Sequence, residues 1–264
     1  MQVSTLSIFC MAVSAVCGVL IPVGLLIFFR KKLGVSVVPF FVGCLTFFVA
    51  VMVLESILHQ LVLTSSLGAV IQGNLWLYAL YGGLAAGVFE ETGRLIAMKL
   101  LKKKHNTPRT CLMYGAGHGG IEVVLILGVG MAQNLFMAQA INSGAIDQLL
   151  APLEGAELEA INIQLQALIA TPAPYFLVGI VERLSAVVLH IGLSVLVWQA
   201  AVKPGKLWLY VAAIGLHALA DALAVILQGL GTPIWAIECA IAVFALAVAY
   251  LAGKIYRKDS AVTQ

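Results

Sequence analysis

Seven apolar runs, each long enough to cross about 30 Å of hydrocarbon, take up most of this chain. They lie near residues 4–29, 35–62, 75–101, 110–137, 174–202, 207–228 and 233–256. In lipid every backbone N–H and C=O must be satisfied inside the segment, so runs of this length fold as helices. Composition agrees: 62% of the 264 residues are hydrophobic and 10% are charged, against about 45–50% and about 25% in a soluble domain. The fold class is therefore all-α, a polytopic membrane protein with seven transmembrane helices, read as one domain over residues 1–264. No basic residue precedes the first run, which continues to Phe29 and reads as a span rather than a cleaved signal peptide.

Charge orients the bundle. Arg30, Lys31 and Lys32 follow the first run, and Lys99, Lys102, Lys103, Lys104 and Arg109 lie between the third and fourth. Lys203 and Lys206 separate the fifth and sixth, and Lys254, Arg257 and Lys258 close the seventh. These are thirteen of the fifteen basic residues, and a seven-span topology puts all of them on one side. The positive-inside rule then places the N-terminus outside and the C-terminus in the cytoplasm. The long outer connection, about 138–173, carries Asp147, Glu154, Glu157 and Glu159 among apolar residues. Its spacing predicts one or two short amphipathic helices, broken at Pro152.

Several function classes drop out. The net charge of +3 comes from loop lysines and arginines, with no basic face and interleaved aromatics for a nucleic acid. The five cysteines sit in apolar runs without CxxC spacing, so neither a disulfide framework nor a thiolate metal site is expected.

The two remaining basic residues, Arg94 and Arg183, lie inside apolar runs. So do Glu90, Glu91, His118, Glu122, Glu182, His190, His217 and Asp221. An ionisable group at the bilayer centre costs about 2.5–3.5 kcal/mol even on insertion scales. Counted at 1.5 Å per residue from the nearest cytoplasmic helix end, His118, His217, Glu90, Glu122, His190 and Asp221 lie about 12–21 Å deep. Four helices thus deliver polar groups to nearly one level, the arrangement a shared cavity needs. His118 and Glu122 are i, i+4, as are His217 and Asp221, so each pair shares a helical face. Gly115, Gly117, Gly119 and Gly120 around His118 allow close helix approach. Glu90 and Glu91 point about 100° apart. One of them pairs with Arg94, and the other is left as a candidate general base. Glu182 and Arg183 lie near the outer end of their helix and read as a structural ion pair.

No HExxH helix, GxSxG elbow or intramembrane aspartate pair occurs. The ordered set that does occur is Glu90-Glu91-Thr92-Gly93-Arg94, then Gly117-His118-Gly119-Gly120-Ile121-Glu122, then His217 to Asp221. It resembles the YhfC family of glutamic-type intramembrane proteases. That family is related to the CAAX-prenyl protease and bacteriocin-processing group and to the PrsW proteases. The likeness covers roughly residues 75–230. In the prenyl-protease relatives the arginine falls one position later and asparagine often replaces the aspartate.

The resemblance implies a multi-pass protein of a cell membrane, expected to be a bacterial plasma membrane, that hydrolyses a membrane-associated peptide or protein. Glu90, or alternatively Glu91, is then the base that activates water with help from His118. His217 hydrogen-bonds the oxyanion, Asp221 orients His217, and His190 completes the cluster, with Arg94 and Glu122 supporting. In this reading no metal or other cofactor is used. A zinc-dependent version with His118, Glu122, His217 and Asp221 as ligands is the first alternative. An ion-coupled transporter using the same midplane groups is the second.

Overall fold

A computed structural model describes residues 2–262, the side chains through Lys258. Among the described residues the regular structure is helical, with no strand. Helix α1 is Thr5–Leu33. Next, α2 (Val38–Phe47) runs without interruption through a π-helical segment, Phe48–Glu55, into α3 (Ser56–Leu63). Then come α4 (Ser66–Gln72) and the 27-residue α5 (Leu75–Leu101). Helix α6 (Arg109–Glu122) continues through a second π-helical segment, Val123–Val129, into α7 (Gly130–Ser143). After α8 (Ile146–Leu150) and α9 (Gly155–Ala170), a short 3₁₀ turn leads to α10 (Val178–Val202). Helices α11 (Trp208–Gly229) and α12 (Ile234–Val262) close the chain.

Among the described residues, six helices are long and apolar enough to cross a membrane: Thr5–Leu33, Val38–Leu63, Arg109–Ser143, Ala173–Val202, Trp208–Gly229 and Ile234–Lys258. Helix α5 matches them in length but carries Glu90, Glu91, Arg94 and Lys99, and it is not among the six. The fourth run is longer than the hydropathy pattern implies. It has no helix breaker before Gly144, whose φ of 76° supplies the left-handed C-terminal cap. The connection at about 138–173 does hold helices on both sides of Pro152, namely α8 and α9.

Two compact units emerge. The first comprises the chain up to Ile21 and Val123–Arg183, and the second comprises Pro22–Glu122 and the chain from Leu184 on. In the first, Met11, Ala138, Leu165 and Phe176 form the core. Ser14 donates to the Phe176 carbonyl at 2.7 Å, and Glu182 pairs with Arg183.

The second unit holds every residue placed at the common depth. Its core gathers Met98, Tyr114, Leu193, Trp198, Leu209 and Val248 from α5, α6, α10, α11 and α12. Outside that core, Leu61 and Val243 are more than 60% exposed. Large apolar side chains tolerate such exposure when lipid surrounds them.

Glycine sets the helix spacing. A Cβ on Gly87 of α5 would stand 2.7 Å from the Ile214 carbonyl of α11. On α6, a Cβ at Gly117 would overlap the Phe40 carbonyl of α2, and one at Gly115 would stand 2.8 Å from Cα of Ile191 in α10. Backbones in such contact bring short polar side chains within mutual reach. Helix α5 begins where the Asn74 side chain accepts from the N–H groups of Trp76 and Leu77. That cap satisfies two otherwise orphaned donors.

Candidate active site

Helix α5 turns its two adjacent carboxylates to different partners. Glu91 and Arg94, three residues apart, form an ion pair at 3.1 Å, and both side chains are fully buried. The remaining carboxylate, Glu90, faces α6 and shares a hydrogen bond with Nε2 of His118 at 2.8 Å. The 100° divergence of consecutive helical residues thus separates a neutralised carboxylate from one held only by imidazoles.

Histidines from three helices stand in a row. The His118 and His190 ring centroids are 4.9 Å apart, and those of His190 and His217 are 5.3 Å apart. His118 is fully buried, edge-on to Phe47 and stacked near Tyr114. Nη2 of Arg94 contacts Nδ1 of His190 at 2.9 Å. A guanidinium has no acceptor, so Nδ1 must accept and the His190 proton sits on Nε2. That Nε2 donates to Glu122 at 2.7 Å. Nδ1 of His217 contacts Oε1 of Glu91 at 2.8 Å. An ionised carboxylate only accepts, so the His217 proton on that side is on Nδ1. Its Nε2 then looks toward Oε1 of Glu90 at 3.8 Å and Oδ2 of Asp221 at 3.6 Å.

Every residue singled out from the sequence at this depth therefore joins one network, and helical spacing foretells the Glu91–Arg94 and His217–Asp221 contacts but not those of His118 and Glu122. Glu122 is bonded to His190 across helices, and His118 to Glu90. The expected ligand set of His118, Glu122, His217 and Asp221 does not converge. Among the described residues, one group of metal-capable donors does: Glu90, His118 and His190, with one ligand atom from each within 4.8 Å of the others. Asp221 is the outlier, its side chain 42% exposed. Local i, i+4 spacing brings two side chains onto one face, yet the cross-helix contacts are shorter.

The donor set decides whether a metal fits. Two imidazoles and one carboxylate, all buried, make the His₂Glu composition of a catalytic zinc site. Nδ1 of His118 is buried with no hydrogen-bond partner, as is Oε2 of Glu91. Buried polar atoms left unsatisfied next to such donors are what a bound ion or water would relieve. The residues fit a divalent cation.

A second polar group, His59 and Glu55, reads from the sequence as packing or lid contacts. His59 contacts Oε1 of Glu55 at 3.1 Å through Nε2 and the Tyr81 hydroxyl at 2.9 Å through Nδ1. Its only sequence signal is the i, i+4 spacing of Glu55 and His59, and Glu55 is placed by the end of the first π-helical segment.

Comparison with known proteins bears on this geometry. A family model described as YhfC intramembrane metalloprotease matches residues 17–242. A Bacillus subtilis (strain 168) protein described as "Uncharacterized membrane protein YhfC" is 39% identical over 229 residues, 86% of this chain and 87% of that protein. No solved structure matches. Both matches take in α5, α6 and α10, or most of the chain, and the chain belongs to the YhfC intramembrane metalloprotease family.

Proposed function

We propose that this chain is a zinc-dependent intramembrane endopeptidase whose reaction centre is Glu90, His118 and His190. The observation that carries the proposal is the convergence of these three buried donors, from three helices, within 4.8 Å. The order of preference drawn from the sequence, metal-free chemistry first, is reversed here, because the donor set and the family description both favour a metal. Zn²⁺ held by Glu90, His118 and His190 would supply Lewis-acid polarisation of water and of the scissile carbonyl.

The chain's own groups do the rest. To ligate through Nδ1, His190 would give up the hydrogen bond from Arg94, while its Nε2–H stays on Glu122, which orients the ring. His217 is the proton carrier: Glu91 holds its Nδ1–H, leaving Nε2 to take a proton from the attacking water. Arg94 holds Glu91 in turn, so base and orienter form a fixed series. Hydroxide adds to the carbonyl carbon, the C–N bond breaks, and His217 returns the proton to the leaving amine. Asp221, partly exposed, stands 3.6 Å from Nε2 of His217 and shares its proton traffic. The substrate is a membrane-associated peptide or protein, because the chemistry sits among lipid-facing helices.

A metal-free reading has one observation in its favour. Glu90 and His118 are already in direct contact at 2.8 Å, a closed pair in which Glu90 acts as base on water and His217 faces the oxyanion. The test uses purified protein in liposomes with a membrane-associated peptide. About one zinc per chain, cleavage lost on chelation and restored by Zn²⁺, and loss of both metal and activity in His118→Ala support the metal centre. Cleavage that persists in metal-free protein and vanishes in Glu90→Gln would establish the second reading. Full activity of folded Glu90→Gln would refute both.

A further inference from the structure

A groove of about 810 Å³ lies between the Val38–Glu55 stretch and α5. Its walls are apolar, with Val42 and Val49 on one side and Phe89 and Ile96 on the other. Its lip is formed by Lys103, Lys104 and His105, and no acidic residue lines it. We propose that this groove binds one hydrocarbon chain of an anionic glycerophospholipid, whose phosphate is held by Lys103, Lys104 and His105.

The α5 wall runs from Val88 to Leu101, thirteen residues or about 20 Å, room for the acyl chain of one leaflet, which spans about half of the roughly 30 Å hydrocarbon core.

Polarity excludes an extended peptide. Strand-like backbone at this depth needs hydrogen-bond partners along its length. The groove's threonines are already committed: Thr46 donates to the Val42 carbonyl and Thr92 bonds the Tyr210 hydroxyl, both at 2.7 Å. A hydrocarbon chain needs no partner.

Charge then selects the headgroup. Residues 102–109 read Lys-Lys-Lys-His-Asn-Thr-Pro-Arg, without an acid. Lys103 and Lys104 are exposed at the lip, whereas Lys102 is occupied by the Ala201 carbonyl at 2.6 Å. Basic pockets between membrane helices hold anionic headgroups in this way.

Position favours a bilayer lipid over a lipidated substrate. The groove uses the α5 face of Val88, Thr92 and Ile96, while Glu91, Arg94 and Met98 lie buried on another face. Lys103 stands about 20 Å along the chain axis from Glu90. A peptide attached at the headgroup end would hold its scissile bond that far from the reaction centre. The site is thus separate from the chemistry, and its proposal does not rest on proteolysis.

The test is native mass spectrometry of the full chain extracted from vesicles of equimolar phosphatidylglycerol and phosphatidylcholine. One phosphatidylglycerol is retained per chain, preferred over phosphatidylcholine by about tenfold or more. The preference disappears in Lys103→Glu/Lys104→Glu. Ile96→Trp, which fills an open wall position, loses the retained lipid of either headgroup, while Glu90→Gln keeps it. Equal retention of the two lipids by the unaltered chain, or an unchanged preference in the double variant, overturns the proposal. So does one-for-one displacement of phosphatidylglycerol by a lipidated peptide, which would assign the groove to substrate.

Discussion

Arg94→Met removes one partner from an ion pair in which neither side chain meets solvent. Its guanidinium contacts Glu91 at 3.1 Å and His190 at 2.9 Å. Removing it strands the Glu91 carboxylate in the bundle with only His217 beside it. The loss is worth about 3–5 kcal/mol, because the desolvation of Glu91 is no longer offset. The lost His190 hydrogen bond, about 1.5–3 kcal/mol for a charged donor, is one part of that total. Adding Glu91→Gln removes the stranded charge and keeps an acceptor for Nδ1 of His217. The double variant therefore recovers the part due to the stranded Glu91 and keeps only the loss of the His190 hydrogen bond, about 1.5–3 kcal/mol. Lys at position 94 keeps charge but not the fork that serves two partners, and falls between. The assay is denaturant unfolding in mixed micelles followed by helical circular dichroism, analysed as a double-mutant cycle. A single Arg94→Met variant within about 1 kcal/mol of the parent, or a double variant no better than the single, would falsify the buried-pair argument.

Three further outcomes are expected. Gly117→Val drives a methyl-bearing carbon into the Phe40 backbone, which no rotamer relieves, so it destabilises by about 1–3 kcal/mol or more in the same unfolding assay. By contrast, Gly130→Ala meets nothing within 4 Å inside a helix and is neutral or stabilising by up to about 1 kcal/mol; equal losses at the two positions would refute close α2–α6 contact. Elemental analysis after zinc reconstitution separates ligand from carrier: His190→Ala loses the metal, while His217→Gln keeps it and loses at least about a hundredfold in cleavage rate. Metal loss in His217→Gln with retention in His190→Ala would reverse the assignment.

How much of this site is legible in the chain depends on how local each interaction is. The Glu91–Arg94 pair can be read directly, since three residues on a helix are spatial neighbours whatever surrounds them. The same rule misleads at His118 and Glu122, where the shared face holds but the partners, Glu90 and His190, come from other helices. The two π-helical segments leave no trace in hydropathy, because a widened turn retains the apolar composition of the helix around it. The groove between α2 and α5 is equally invisible, being a gap between surfaces and not a property of either.

Hydropathy and the cost of unsatisfied backbone in lipid determined the helices, their approximate extents and the depth of the polar groups. The glycines on α6 marked where backbones would meet. Only the tertiary structure decided that Glu90 is the carboxylate left without a guanidinium, that Glu90, His118 and His190 share one point, and that Asp221 stands at its edge. Depth along an axis follows from counting residues. Which faces turn together depends on the rotation of each helix, and that is set by packing among many side chains at once.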